Sequence, residues 1–510
     1  FTLACKDKLG SAGVTFTARL KSDTENKSLT EREQCLSVRP PSPLMTTEER
    51  GPVTGKTTVP VTRQVYTFNA DTTLTVSPAP IAAYRSLAAN LREYPFGCTE
   101  QLLSRAFPVI AVSNNPDLEK MLLSDPSLSE DKRAERDNET LNAALQQLAV
   151  STDWNGVALW PGGEADDFVT VYAADFLVTM LENGRSVPED LFNRIKSSVS
   201  YIAGREPSYL EDARIRAYAC WVLLRAGSVI TQDVERLTSW FVQQGGVYGD
   251  DITAALLADC YAILRLSKDA ARLMPDKIST DGVFSPGNYM NAGTASALYS
   301  YIRSLPRWKD ADSGYDAMAD TLERAFRPSA STTAMALSCR ALLGGMQASG
   351  QNGSADIRCT EPGAEGTASL PASARTIKGM DILSQPLCRK FAVTPHDSTN
   401  SLLWHLRVTG YDRTAPQNYA NGLEIHRRYL NTQGQEVSEA REGDIITVEI
   451  SLRADRTLSN VAVVDLMPGC FEPLLDQGGI VMPSEVTHNE RHEDRWLFFT
   501  SADANQILLT

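Results

Sequence analysis

Thr170-Val-Tyr-Ala-Ala, Arg216-Ala-Tyr-Ala-Cys, Thr253-Ala-Ala-Leu-Leu, Thr294-Ala-Ser-Ala-Leu and Thr333-Ala-Met-Ala-Leu begin at positions 46, 37, 41 and 39 residues apart. That period fits one helical hairpin per repeat. Helices this rich in small residues pack closely on more than one side, which suits an inner ring better than a surface layer. Gly-containing turns precede several of them: Trp160-Pro-Gly-Gly, Gly245-Gly-Val-Tyr-Gly and Asp281-Gly-Val-Phe. With a further hairpin around residues 84–150 the total is six, and the sequence predicts an α/α toroid over residues 81–390. An open α-solenoid is the alternative built from the same repeats.

The texture changes on both sides. Residues 1 to about 80 read as β, with Gly13-Val-Thr-Phe-Thr-Ala-Arg-Leu alternating cleanly and Val59-Pro-Val-Thr-Arg-Gln-Val-Tyr-Thr-Phe loosely. Residues 346–390 are rich in Gly, Ser, Ala and Pro and read as a long loop or an incomplete last hairpin. β character returns after 391, in Ser401–Val408, Asp444–Arg453 and Asn460–Leu466. The 510 residues allow two to four domains at ~100–200 residues each. A composition 42% apolar and 22% charged excludes a disordered or fibrous chain. Sixty-three acidic against 49 basic residues give a net charge of −14, which disfavours nucleic acid and anionic lipid as partners. No apolar run is long enough to span a membrane. A start at Phe1 and a stop after the strand-like Trp496-Leu-Phe-Phe-Thr suggest a piece of a longer protein.

Nine cysteines occur, and no C-x-x-C, so metal knuckles and thioredoxin-like sites are not expected. Cys220, Cys260 and Cys339 lie in helical runs and read as small buried hydrophobes. Cys5, Cys35, Cys359 and Cys388 would suit two disulfides in an oxidising compartment. Cys98 has no evident partner. Three other patterns carry little. Gly51-Pro-Val-Thr-Gly-Lys-Thr lacks the leading glycine of a phosphate loop, and strand rather than helix follows it. His488-Asn-Glu-Arg-His492 has its Glu one place too late for a zinc-protease helix and reads as solvated loop. Glu164, Asp166, Asp167, Asp250 and Asp251 could serve glycoside hydrolysis, but acids at hairpin starts more simply cap helix N-termini.

The chemistry lies in Tyr94-Pro-Phe-Gly-Cys98-Thr-Glu-Gln101-Leu-Leu-Ser-Arg-Ala-Phe. Pro95 and Gly97 permit a tight turn, and helical spacing runs on from Cys98. The cysteine then sits at a helix N-terminus, where the dipole favours thiolate. Gln101 is one turn on, on the same face. A thiolate held against a carboxamide can attack it and expel ammonia, leaving a Cys–Gln thioester. Tyr94, Phe96 and Trp160 are placed to shield such a bond from water or to pack in the core.

This segment resembles the thioester site of the alpha-2-macroglobulin and complement family, its bacterial branch best. Trp160-Pro-Gly-Gly-Glu, Asn421-Gly-Leu-Glu-Ile-His-Arg-Arg-Tyr-Leu and Asp465-Leu-Met-Pro-Gly-Cys-Phe-Glu-Pro extend the resemblance, although Cys470 departs from the last pattern. The resemblance implies the end of a macroglobulin-like β domain at 1–39 and a CUB-like β domain split between 40–80 and 391–420. It also implies a helical thioester domain at 81–390 and an incomplete macroglobulin-like β-sandwich at 421–510. It implies a single-use trap rather than an enzyme, with no cofactor, metal or catalytic residue. Attacking host or foreign proteases would cleave a bait segment and be acylated on lysine amines. A periplasmic or cell-envelope location goes with it, with a lipid anchor supplied by the missing N-terminus. Related complement proteins use a His of the helical domain to favour hydroxyl acceptors. Residues 81–390 contain no His, so amines are expected as acceptors, unless His488 or another late histidine reaches Cys98. The rival readings are an enzyme with Cys98 as recycled nucleophile, a carbohydrate-acting toroid using the acidic turn residues, and a repeat scaffold without chemistry.

Overall fold

The computed structural model describes residues 8–21, 26–77, 81–123, 125, 128–244, 249–280, 284, 288–308, 313–327, 330–349, 354–362, 373–377, 380–385, 387–397, 402–414, 417, 420–469, 471–474 and 482–509. Two strands, β1 (Gly10–Lys21) and β2 (Asn26–Val38), form an antiparallel ribbon. Next come β3 (Met45–Val53), β4 (Thr57–Pro60) and β5 (Asp71–Ser77), then, among the described residues, thirteen α-helices. These are α1 (Ile81–Glu93), α2 (Thr99–Val112), α3 (Pro116–Leu123), α4 (Glu130–Ser151), α5 (Asp167–Glu182), α6 (Glu189–Gly204) and α7 (Leu210–Arg225). They continue as α8 (Thr231–Gln243), α9 (Ile252–Ile263), α10 (Ser267–Leu273), α11 (Ala292–Ser304), α12 (Ser313–Ala325) and α13 (Thr332–Ser349).

The repeat is visible in the packing. The five quoted stretches fall on α5, α7, α9, α11 and α13. Each of these helices touches the next, α2 touches α5, and α13 returns to α2, so six helices close a ring. The intervening helices pack outside it, with α1 against α13. Ring helices are buried all round: every residue of α9 from Ile252 to Tyr261 is buried. Small side chains allow that approach, and Tyr172, Tyr218, Phe107, Phe176 and Trp221 fill the middle. Of the glycine turns, Trp160-Pro-Gly-Gly lies before α5; residues 245–248 and 281–283 lie outside the described residues.

Charges are buried with this core. Asp175 of α5 receives Tyr218, Arg225 and Arg340, the last at 2.7 Å. Burial alone would raise its carboxyl, but the guanidiniums of Arg340 and Arg225 outweigh that and hold it well below the usual range. Arg214 is fully buried against Asp251 at 2.6 Å. Asp259 takes the indole N–H groups of Trp221 and Trp308 and the fork of Arg307.

Strands then return: β6 (Ala355–Pro362), β7 (Ser373–Ile377), β8 (Met380–Ser384), β9 (Cys388–Pro395) and β10 (Leu402–Gly410). They do not form a separate unit. The sheets run β3-β10-β5-β8-β7 and β4-β9-β6, so strands from before and after the helices share both sheets, and the helical ring is an insertion in a β unit. This corrects two expectations. The helices end at Ser349, and the stretch expected as a loop to 390 holds strands. Its composition hid an inward alternation of Ala355, Ile357 and Cys359 on β6, and Cys359 is disulfide-bonded to Cys388. The alternating run from Val59 stops at Pro60, which has no N–H for the ladder. Beyond it Arg63 donates to the carbonyls of Met45, Val408 and Gly410 and pairs with Asp412.

The last unit is two three-stranded sheets, β11 (Leu423–Leu430), β12 (Thr447–Ala454) and β16 (Ile507–Leu509) against β13 (Leu458–Leu466), β15 (Arg495–Ala502) and β14 (Val486–Arg491). Ile450, Leu452, Val463, Phe498 and Leu509 are its core.

Asp175 is the test of the ring. Asp175→Ala leaves Arg340 buried without its counter-charge and is expected to cost about 3–5 kcal/mol. Urea unfolding measures it, and adding Arg340→Met should recover part of the loss. A cost below ~1 kcal/mol would show that the buried charges do not hold the ring together.

Candidate functional site

Cys98 is the N-cap residue of α2, with extended backbone at φ −66° and ψ 167°. The amides of Glu100 and Gln101 face its sulfur, and its own N–H donates to Gln101 Oε1 at 3.0 Å. Cys98 and Gln101 thus cap each other, as a Ser and Glu pair would in a capping box. Their side chains occupy one small volume at the helix end. The lead-in loop is clamped by Arg105, which donates to the carbonyls of Tyr94 and Phe96 at 2.8 and 3.1 Å. Thr99 fastens the other side, its N–H and hydroxyl both donating to Leu159 O at 2.9 and 2.8 Å. This holds the Trp160 turn beside Cys98. Gly97 is not in the left-handed region, and a Cβ there would meet open space, so the turn does not depend on glycine.

The expected thiolate is a correction. Burial pushes the Cys98 thiol well up, and the neighbouring Glu100 adds to it; the amides of Gln101 and Glu100 offset only part. Cys98 is 5% exposed, so desolvation outweighs the helix terminus. Glu100 is itself buried, which raises its carboxyl to about 7 against the help of Ser104 and Thr332. Ser104 Oγ donates to it at 2.6 Å, and Thr332 Oγ1 lies 2.8 and 2.9 Å from its two oxygens. Burial, with Glu100 and Cys98 nearby, pushes the Tyr94 phenol up to about 12.

Tyr94, Phe96 and Trp160 do come together here, though not by themselves. Tyr94 meets Phe96 edge-on at 5.4 Å, Phe96 meets Phe499 at 5.6 Å, and Phe499 meets Trp160 at 5.0 Å. His488 stacks flat on Trp160 at 3.8 Å. Phe499 and His488 belong to β15 and β14, so the terminal sandwich completes the cluster. His488 is therefore not a solvated loop residue: it lies on a strand, stacked on Trp160 and 3.6 Å from Glu490. Glu490 is close enough to act on the Cys98 thiol. The sequence reading missed Phe499, Thr332 and Glu490. Phe499 was legible only as part of the strand Trp496-Leu-Phe-Phe-Thr, with nothing to say where that strand packs.

The remaining candidates sit elsewhere. Cys359 and Cys388 are joined; Cys35 is exposed and free, and Cys5 and Cys470 lie outside the described residues. Cys220, Cys260 and Cys339 are buried in ring helices. Asp166 and Asp251 cap α5 and α9 by accepting from Val169 and Thr253 N–H at 2.9 Å each, and Asp167 pairs with Arg205. Gly51–Thr57 is the turn from β3 into β4. Among the described residues there is no group of three or more possible metal ligands, and no histidine hydrogen-bonds to Cys98.

Two sandwich-like β units around a ring of helices define a macroglobulin-type multidomain protein, and comparison with solved structures agrees. A crystal structure of native alpha-2-macroglobulin from Escherichia coli, spanning domain MG7 to the C-terminus, superposes with a TM-score of 0.73 at 20% identity. It covers 98% of this chain and 81% of that one. Salmonella alpha-2-macroglobulin reacted with methylamine gives 0.74 at 20% identity, over 98% of this chain and 33% of that one. The model of the bacterial alpha-2-macroglobulin MG10 domain matches residues 422–504. Alpha-2-macroglobulin of Rickettsia conorii is 28% identical over 94% of this chain, and the Yersinia pestis homolog 27% over 92%. The chain is thus similar to bacterial alpha-2-macroglobulins along nearly its whole length, and residues 422–504 match the MG10 domain of that family. It spans about a quarter of the length of these curated relatives, 25% and 24%.

Glu100 gives a pH signature. Its carboxyl is raised from 4.5 to about 7 on folding, so its contribution to stability is full below the unfolded value and is lost as pH rises through 7. The loss is on the order of 3 kcal/mol, at 1.36 kcal/mol for each pH unit of displacement. In Glu100→Gln the amide oxygen still accepts from Ser104 and Thr332, and this part of the pH dependence should vanish. Denaturant unfolding of both proteins from pH 4.5 to 8 checks it; parallel profiles would mean that Glu100 is ionised throughout.

Proposed function

We propose that Cys98 and Gln101 form an intramolecular thioester and that the whole protein traps proteases covalently through it. The observation that carries this is the reciprocal capping of Cys98 and Gln101 at a buried helix end beneath the Tyr94, Phe96, Trp160, Phe499 and His488 rings. In formation Cys98 Sγ bonds to Gln101 Cδ, the C–N bond breaks, and ammonia leaves with the thiol proton. In use an amine attacks the same carbon, the C–S bond breaks as the amide forms, and Cys98 leaves as a thiol carrying the amine's proton. Burial that disfavours a Cys98 thiolate also makes it a poor leaving group, so the covered bond is slow to react. Exposure removes that penalty. Bait cleavage upstream would supply the movement, and a protease lysine the amine. The reaction of the Salmonella relative with methylamine supports the same chemistry here. Nothing is regenerated, so the protein acts once and is not an enzyme.

The architecture this implies is an α/α toroid at 81–349 inserted in a CUB-like domain made of 40–77 and 355–420. Residues 1–39 end a macroglobulin-like domain, and 421–510 belong to another. The Cys359–Cys388 disulfide supports an envelope or periplasmic location.

Intact mass tests the bond. The protein should be lighter than its sequence by one ammonia, about 17 Da, and methylamine should add about 31 Da and release one alkylatable thiol. Cys98→Ala should show neither change and should abolish SDS-stable conjugates of the full-length protein with a protease. Alkylation of Cys98 by iodoacetamide before any amine is added would overturn the thioester.

Acceptor choice is a separate test. With no His in 81–390 and His488 held on Trp160, no acyl-imidazole forms, and direct attack favours amines over alcohols. Activated protein given equal labelled methylamine and glycerol should take up methylamine at least about tenfold more. Comparable glycerol uptake would place a histidine at the bond.

A further inference from the structure

A cavity of about 370 Å³ lies where the helical ring meets the β unit. α1 and the end of α3 form one wall; β5, β8 and β10 form the other. Three arginines line it, Arg85 and Arg92 from α1 and Arg407 from β10, together with Asp71, Glu93 and Asp125. The acids are already engaged. Glu93 takes Arg407, Asp71 takes the hydroxyls of Thr73 and Ser384 at 3.1 and 3.0 Å, and Asp125 pairs with Arg136 at 2.8 Å. Arg85 donates to the carbonyl of Met121 at 3.0 Å. Arg92 makes no hydrogen bond or ion pair with the described residues, although it is partly buried.

We propose that this cavity binds a small multivalent oxyanion, of the phosphate or sulfate type, on Arg92 and Arg85, bridging the helical ring and the β unit. A half-buried guanidinium that faces a cavity can exchange water for a charged partner, and its planar fork matches oxyanions. Burial lowers the affinity of Arg92 for the proton, and Arg136 and Arg407 lower it further, while Asp125 and Glu93 offset part of this; burial followed by Arg92 does the same to Arg85, against Asp125. An anion between these groups removes both costs. The hydroxyls of Ser86 and Thr75, on opposite walls, supply further donors. Because the walls come from two units, the ligand binds only while they are together and stabilises that arrangement. The site does not involve Cys98 and stands whether or not the thioester forms.

Inorganic phosphate is the probe, titrated calorimetrically into the whole chain at constant ionic strength, with thermal unfolding in parallel. Saturable binding and a rising unfolding midpoint are expected. Sulfate should compete, whereas chloride at the same ionic strength should not. Arg92→Gln should weaken binding at least about tenfold, as loss of a charge-assisted fork does, while Arg453→Gln on the exposed face of β12 leaves it unchanged. Unsaturable binding, sulfate acting no better than chloride, or equal affinity in Arg92→Gln would each overturn the site. The anion competition uses the unaltered chain and decides the matter even if Arg92→Gln does not fold.

Discussion

Thr332 hydroxyl to Glu100 carboxylate is a contact across 232 residues of sequence, and it joins the first ring helix to the last. A ring of helices is defined by its closure: without the return of α13 to α2, the same repeats would stack into an open solenoid. A buried carboxylate is a strict way to specify that closure. Ser104 and Thr332 together offset part of its desolvation, so a misregistered α13 leaves it with a hydrogen bond fewer at full burial. Ser104 Oγ lies 2.9 Å from Tyr172 Oη as well, which extends the network to α5. Glu100, two residues after Cys98 and one before Gln101, thus fixes the ring.

The other buried charges act in the same sense. Asp175 on α5 engages Arg225 of α7 and Arg340 of α13, and Asp251 at the start of α9 holds Arg214 of α7 while capping its own helix. Each links ring helices that apolar packing alone would leave free to slide. Alanine-rich faces provide area but little directional preference, because small side chains leave shallow ridges and grooves. Ion pairs of this kind contribute little net stability and a large penalty for wrong pairing. The small-residue surface gives closeness, and the charges give register.

That division explains what could be read beforehand. The small-residue stretches that repeat along the chain can each be read from a few neighbouring residues, and all five fall on ring helices. The capping of Cys98 by Gln101 is equally local, being set by a three-residue spacing. What escaped were consequences of distant packing. β6 to β9 looked like loop because composition outweighed the alternation at Ala355, Ile357 and Cys359, and because β8 and β9, on which β7 and β6 pair, are anchored to β5 and β4 some 300 residues earlier. The protonated Cys98 escaped because a helix terminus is visible in sequence and burial is not. Thr332 and Phe499 carry no motif; only tertiary contact makes them part of the site.

Phe499 also shows why the cover has to come from elsewhere. A thioester between an N-cap residue and its partner one turn on lies at a helix end, where no preceding turn of the same helix stands over it. The Trp160 turn, held by Thr99 and Leu159, closes one side and belongs to the same unit. Closing the rest falls to His488 and Phe499 on the terminal sandwich. Aromatic pairs contribute roughly 0.5–1.5 kcal/mol each beyond area burial, so the cover is held by a few kcal/mol, while the helix beneath is held by the whole ring. On the proposed reading, opening then requires displacement of one unit and no unfolding of the other. The capped turn reaches solvent with its geometry intact, and the burial that made Cys98 a poor leaving group is lifted at the same moment.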